Sequence, residues 1–291
     1  MKLTAADLNE LAALAILAAT AAGEMVATSR PQEVQRKEGA HSLASEVVTE
    51  IDERSEEMIL DILNPSLERF ELGLLTEEQE DGGSRFTTDF FWCVDPIDGT
   101  LPFIEGVPGY AVSIALVGSD GTPWIGVIYD PVEGTLFHAV KDAGAFRDRE
   151  PWSPLSLDAG NVLSVYINRS FLSAAVHDAA MEQFAKIAQD RGLSGLQVHA
   201  TAGAVMNASM ALLAPPACYF AFPQPVGGGH IWDFAATACL YNELDAVATD
   251  IYGDPLDLNR ADSTSMNHRG VLYVADATMA EQIQEIYRNL A

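Results

Sequence analysis

The stretch Trp92-Cys93-Val94-Asp95-Pro96-Ile97-Asp98-Gly99-Thr100 carries an apolar run straight into two carboxylates three positions apart. Pro96 fixes the backbone between them, and Gly99 permits a tight turn. Carboxylates at a strand end are hard oxygen donors of the kind Mg²⁺ takes, one or two per ion, with water and substrate phosphate completing the shell. The Ile97 carbonyl is a further oxygen donor. Thr100 and the amides after it face a phosphate if a helix or turn begins there. The same residues also suit a plain Asp-rich turn, since Asp-Pro and Asp-Gly are turn-forming pairs. Four other acidic residues stand out. Glu77 and Glu78 follow an apolar stretch (Leu72, Leu74, Leu75). Asp233, in Ile231-Trp232-Asp233-Phe234-Ala235-Ala236, opens an Ala-rich helix, and Asp52 is expected at another helix start. Each alone is a helix cap or a solvated charge.

The elements that must position these groups follow from periodicity. Leu11 to Ala22 is an Ala/Leu-rich run behind a helix-start signature at Thr4 and Asp7. Pro31 to Ser45 is polar and reads as a loop. Val47 to Leu63 has apolar residues at helical spacing and reads as an amphipathic helix. Asp81 to Ser84 is a turn, and Phe90 to Val94 a buried strand. Tyr110 to Val117 and Trp124 to Tyr129 are strands around a Gly118–Gly121 hairpin break, with Thr135 to Val140 a further strand. Glu150 to Asp158 reads as a connection. Strands are expected at Leu163–Asn168 and Val271–Ala275. Helices are expected at His177–Arg191, Ala202–Leu213, Trp232–Tyr241 and Thr278–Leu290. Helices and strands layered in both halves give an α/β sandwich with sub-domains at 1–150 and 151–291.

Composition narrows the function. The chain has 291 residues, with 42 acidic against 16 basic, a net charge of −26. That charge repels nucleic-acid polymers and anionic membrane surfaces but not small phosphates, because a bound cation inverts the local field. It also fits a saline habitat. Cys93, Cys218 and Cys239 form no disulfide framework, which points to a reducing, cytoplasmic setting. The acidic start of the chain is unlike a secretory signal, and no uninterrupted apolar run reaches membrane-spanning length. The histidines lack zinc-type spacing, and Ser113 and Ser170 lack a His-Asp partner pattern. His138 reads as a core or edge histidine; Phe90, Phe91 and Trp92 read as core.

DPIDGT at 95–100 together with WDFAA at 232–236 resembles the inositol monophosphatase family of Mg²⁺-dependent, often lithium-sensitive phosphatases. GVPGYAVSIAL at 106–116 and GVIYDPVEGTLFHA at 126–139 are similar to that family too, and the likeness covers nearly the whole chain. The resemblance implies the layered α-β-α-β-α sandwich shared with fructose-1,6-bisphosphatases, usually as a homodimer. It implies two or three Mg²⁺ ions: Glu77, Asp95 and the Ile97 carbonyl on one; Asp95, Asp98 and Asp233 on a second; a third near Glu77 with Asp52 outside it. It places phosphate on the Gly99 and Thr100 amides, and gives the Thr100 hydroxyl, backed by Asp52, the attacking water to orient. Asp98 and the segment Ala202-Gly203-Ala204 would face the substrate.

The chain departs from the family pattern at several positions. Thr76 stands where Gly usually precedes the paired glutamates, and Leu101-Pro102 follows DGT. Ala202-Gly203-Ala204 lacks the usual hydroxyl, and Asn242 to Ala246 replaces Glu-Ala-Gly-Gly. Ala221 to His230 is long and lacks the carboxylate that inositol-type members set against the sugar ring. His230-Ile231-Trp232-Asp233 is closer to 3′(2′),5′-bisphosphate nucleotidases. Gly227–Gly229 is either a linker or a close backbone approach to a second phosphate or a base. No basic cluster for such a phosphate stands near the motifs; Lys37 is the one exception, and it reads more simply as a solvated surface residue. The expected function is hydrolysis of a small phosphorylated metabolite. Inositol phosphate, bisphosphate nucleotide, fructose bisphosphate and histidinol phosphate remain open, as does a catalytically idle, phosphometabolite-binding member of the fold.

Overall fold

The computed structural model describes residues 2–29, 41–153 and 160–290. Two long helices come first, α1 (Ala5–Thr28) and α2 (His41–Arg69), followed by β1 (Gly73–Thr76) and β2 (Phe90–Asp98). The short helix α3 (Thr100–Glu105) leads into β3 (Ala111–Gly118), β4 (Pro123–Asp130), β5 (Thr135–Val140), β6 (Gly144–Arg147) and β7 (Glu150–Pro151). The second half runs β8 (Leu163–Ile167), α4 (His177–Asp190), β9 (Leu196–His199), α5 (Ala204–Leu213), β10 (Ala217–Ala221), α6 (Ile231–Glu243), β11 (Val247–Thr249), β12 (Val271–Val274) and α7 (Ala277–Leu290). Strands β1 to β7 form one sheet in chain order, antiparallel except for the parallel β1–β2 pair. The second sheet has the order β11-β12-β10-β8-β9.

Side-chain alternation along the strands sorts the chain into layers. On β2, Trp92 and Val94 pack with Leu11, Ala15 and Ile59 of α1 and α2, whereas Phe91 and Cys93 face the cluster holding α5 and α6. On β10, Tyr219 joins that same central cluster, while Cys218 and Phe220 pack with Phe184 of α4 and Ile283 of α7. The order is therefore α1/α2, first sheet, α5/α6, second sheet, α4/α7: the expected α-β-α-β-α sandwich. Period-two alternation buried on both faces explains why the strands read as continuous apolar runs.

Several expectations change at element ends. Thr4 and Asp7 form the capping box that opens α1. That helix is long and apolar enough to cross a membrane, and half of its most apolar stretch is buried inside the protein. Residues 41–45 are helical rather than loop, so α2 begins before Val47. Asp52 consequently lies inside the helix, not at its start. The earlier part of the expected loop, Lys37 included, lies outside the described residues. Strand β2 runs on to Asp98, carried past the carboxylates by a register shift between Asp95 and Asp98. Glu150 and Pro151 pair as an edge strand where a connection was expected. Strands β1, β6, β9, β10 and β11 had no strand assignment from the sequence. All except β10 are four residues or fewer, too short to show a period.

Candidate metal centre

Asp95, Asp98 and Asp233 each place a carboxylate oxygen within 4.8 Å of the others'. Two come from the end of β2 and the third from the first turn of α6, so the cluster forms where the first sheet meets the central helix layer. Asp95 accepts from the Ile97 amide at 3.0 Å, folding the Asp-Pro-Ile turn back on its own carboxylate. Asp98 accepts from the amides of Ala204 (3.1 Å) and Val205 (2.9 Å), the N-terminus of α5. Asp233 accepts from the His230 amide at 2.8 Å in a capping box. Helix N-termini favour carboxylates through unpaired amides and the helix dipole, which is why two such ends can hold anions this close.

Glu77 follows directly on β1, and its amide donates to the Val94 carbonyl at 3.2 Å. The residue is exposed at the rim, yet its carboxyl turns inward and hydrogen-bonds Asp95. Burial of that end, with Asp233 and other acids nearby, pushes its pKa up to about 7. Asp52 is buried on α2, and burial together with Glu78 and Glu77 pushes it up to about 8. Burial followed by mutual repulsion raises Asp95 and Asp98 well above the carboxylate range, and burial raises Asp233. All five expected acids thus belong to one electrostatic cluster, with Asp52 behind Glu77 rather than among the three closest.

Gly99 has φ 90° and caps α3, whose first residue is the exposed Thr100. A Cβ there would lie 2.7 Å from the Gly109 carbonyl oxygen, so only glycine fits this turn. Gly203 has an ordinary φ but is closely packed, since an added Cβ would sit 2.2 Å from Asp98 Oδ2 and 2.7 Å from Gly99 Cα. The Ala202-Gly203-Ala204 segment thus touches Asp98 through its backbone, a role that needs no side-chain hydroxyl. Gly227, Gly228 and Gly229 all have positive φ, and Gly229 packs on Asp233 and Phe234. The run is therefore a shaped turn beside the cluster. Thr76 is buried, with its Oγ1 unpartnered. His138 sits on β5, stacked on Phe146, as expected of a structural histidine.

Two residues on α2 escaped sequence reading. Ser55 Oγ donates to the Pro96 carbonyl at 3.0 Å and ties the helix to the Asp-Pro-Ile-Asp turn. Glu56, buried, accepts from the Glu78 amide (3.1 Å) and Gln79 Nε2 (2.7 Å), so it sets the path of the Glu77–Gln79 segment. Their signal was present: Asp52, Ser55 and Glu56 share one helix face at i, i+3, i+4 spacing.

Oxygen-only, anionic and crowded, the donor set suits a hard divalent cation and no soft metal.

A layered fold with a buried carboxylate cluster at the β2 end and the α6 start defines the class of protein. Residues 7–288 match the inositol monophosphatase family, and the chain belongs to it. Members of this family are phosphatases and generally Mg²⁺-dependent. The chain is 28% identical over 259 residues to the Inositol-1-monophosphatase of Synechocystis sp., covering 87% of this chain and 83% of that protein. It is 34% identical over 138 residues to the Nus factor SuhB of Pasteurella multocida, covering 47% of this chain and half of that relative's length. Among solved structures, an inositol monophosphatase from Anabaena superposes with a TM-score of 0.70 at 21% identity, over 98% of both chains.

Proposed function

We propose that this chain is a Mg²⁺-dependent phosphomonoesterase acting on a small phosphorylated metabolite, inositol monophosphatase-like in its chemistry. The observation that carries this reading is the meeting of Asp95, Asp98 and Asp233 oxygens within 4.8 Å at one buried point. Two or three Mg²⁺ ions would be held by Glu77, Asp95, Asp98, Asp233 and the Ile97 carbonyl. Bound metal supplies charge neutralisation of the phosphate and activation of water for attack on phosphorus. The Gly99 and Thr100 amides, at the opening of α3, receive the phosphate oxygens. Thr100 Oγ orients the water, and Asp52 sets the hydroxyl. Asp98 is fixed by two amides, so its free lone pairs keep one direction. The resemblance favours a homodimer, and three buried free thiols suit a reducing cytoplasm.

A second substrate reading, 3′(2′),5′-bisphosphate nucleotides, is favoured by the segment Ala221–His230. It brings no carboxylate against a sugar ring and ends in an exposed His230 stacked on Trp232 at 4.6 Å.

Turnover of p-nitrophenyl phosphate with and without Mg²⁺ tests the activity, and inositol-1-phosphate beside adenosine 3′,5′-bisphosphate tests the substrate. Asp98→Asn is expected to cut turnover by on the order of a hundredfold or more while circular dichroism stays native. Near-wild-type turnover of that variant at saturating Mg²⁺ overturns the assignment.

A further inference from the structure

A cavity of about 420 Å³, lined by residues of both sheets and of α5, borders Ala202, whose neighbour Gly203 lies against Asp98. Its walls include Asp130, Phe137, Tyr166, His199, Asn207 and Met210, and volumes of this size take small organic molecules. The Gly203 amide donates to the Gly109 carbonyl at 2.8 Å, and Gly109 packs against Ala202. Two lining side chains carry buried polar atoms with no partner, Asn207 Oδ1 and His199 Nε2. Asn207 is fully buried, and its Nδ2 is already committed to the Ala202 carbonyl at 3.1 Å, which leaves the acceptor oxygen unsatisfied. A buried acceptor without a donor is costly and calls for an explanation.

We propose that this cavity is a second ligand site, separate from the carboxylate cluster, for a neutral, flat aromatic ring bearing a primary amide or amino group. The ring fits because the walls are mostly apolar and already hold flat partners. Tyr166 stacks on His199 at 4.6 Å, and Phe137 meets Trp152 at 5.5 Å. The N–H donors fit because Asn207 Oδ1 can only accept, and a His199 imidazole held neutral by burial can accept at Nε2 in its Nδ1–H tautomer. Asp130 adds a buried carboxylate whose Oδ1 takes the Val132 and Glu133 amides. Of the charged lining groups, Arg147 lies 3.7 Å from Asp148 and over the Phe137 ring, and Asp130 Oδ1 is held by two amides, so neither is a free counter-charge for an ionic ligand. The cavity shares Ala202 with the segment expected to face substrate, but the polar side chains named here are not among the proposed metal or phosphate ligands, so the site does not depend on the phosphatase reading.

The test uses the full chain with Mg²⁺ present and two soluble probes, nicotinamide and 3-acetylpyridine, which differ by an amide NH₂ replaced with methyl. Calorimetry is expected to show saturable nicotinamide binding, with 3-acetylpyridine roughly tenfold weaker for want of the donor. Asn207→Leu should erase that preference. Thr135→Trp, which adds bulk to the lining from β5, should abolish binding of both probes while Mg²⁺ binding is unchanged. A cavity that merely holds water would bind neither probe at millimolar concentration, and that result overturns the proposal. Equal affinities in the wild type, binding that survives Thr135→Trp, or displacement of nicotinamide by inorganic phosphate with Mg²⁺ overturn it equally.

Discussion

Two groups of buried charge join the halves of this molecule, and they are built in opposite ways. Arg85 is a cation with its partners supplied by the protein. It is buried, its Nε donates to Asp81 at 2.8 Å, and its Nη1 donates to Asn259 Oδ1 (2.8 Å) and the Arg260 carbonyl (2.9 Å). Its guanidinium also lies over the Phe86 ring at 4.0 Å. Asp95, Asp98 and Asp233 face each other instead, and among the described residues no lysine or arginine forms an ion pair with them. Like charges at that separation in a low-dielectric interior strongly disfavour joint ionisation. A buried charge with its counter-charge clamps two loops together; on the proposed function, a cluster held by backbone amides would take its counter-charge from an outside cation.

The contrast can be broken most directly with pH. The cluster carboxylates titrate higher in the folded protein than in the unfolded chain, with Asp52 near 8 and Glu77 near 7. The folded state therefore holds more protons across about pH 4 to 8, and metal-free stability should fall as pH rises through that window. Mg²⁺ should reverse the loss and release protons on binding, both visible by calorimetry. Metal-free stability that climbs toward pH 8 would show that the cluster is already compensated. Next in size, Arg85→Met should cost about 3 kcal/mol in urea unfolding, equally with and without Mg²⁺. Dependence on the metal would place Arg85 in the cluster after all. Smallest, Glu56→Gln keeps the shape but weakens its grip on the Glu78 amide and turns an amide group toward Gln79. Mg²⁺ affinity should drop on the order of tenfold, with metal-free stability little changed. Unaltered Mg²⁺ titration would reduce Glu56 to a packing residue.

Much of this architecture was legible in local patterns. Long periodic segments gave α4, α6, α7, β3, β4 and β5 to within a residue or two, because burial of one stripe or of alternate faces is written directly into apolar spacing. The parallel strand β1 was seen only as an apolar stretch before Glu77. It has no hairpin partner in the chain, and its pairing with β2 becomes visible only in space. Asp52 was misplaced at a helix start because α2 begins at His41, in a segment whose polar composition suggested a loop. The Ala202-Gly203-Ala204 segment was expected to face substrate. What the structure shows is that its Ala204 amide, with that of the next residue Val205, anchors Asp98, which no side-chain motif could reveal.

By itself, the order of residues determined which donors are present, the turn that spaces Asp95 from Asp98, and the hydrophobic periods that make sheets and helices, since each depends on neighbours within a few positions. Tertiary structure alone decided that Asp233 meets them, that Glu77 turns in to Asp95, and that Asn207 is left with an unpaired oxygen beside a cavity. Those outcomes depend on how layers distant in the chain bury one another, and burial sets both the distance between charges and the cost of leaving them unmatched.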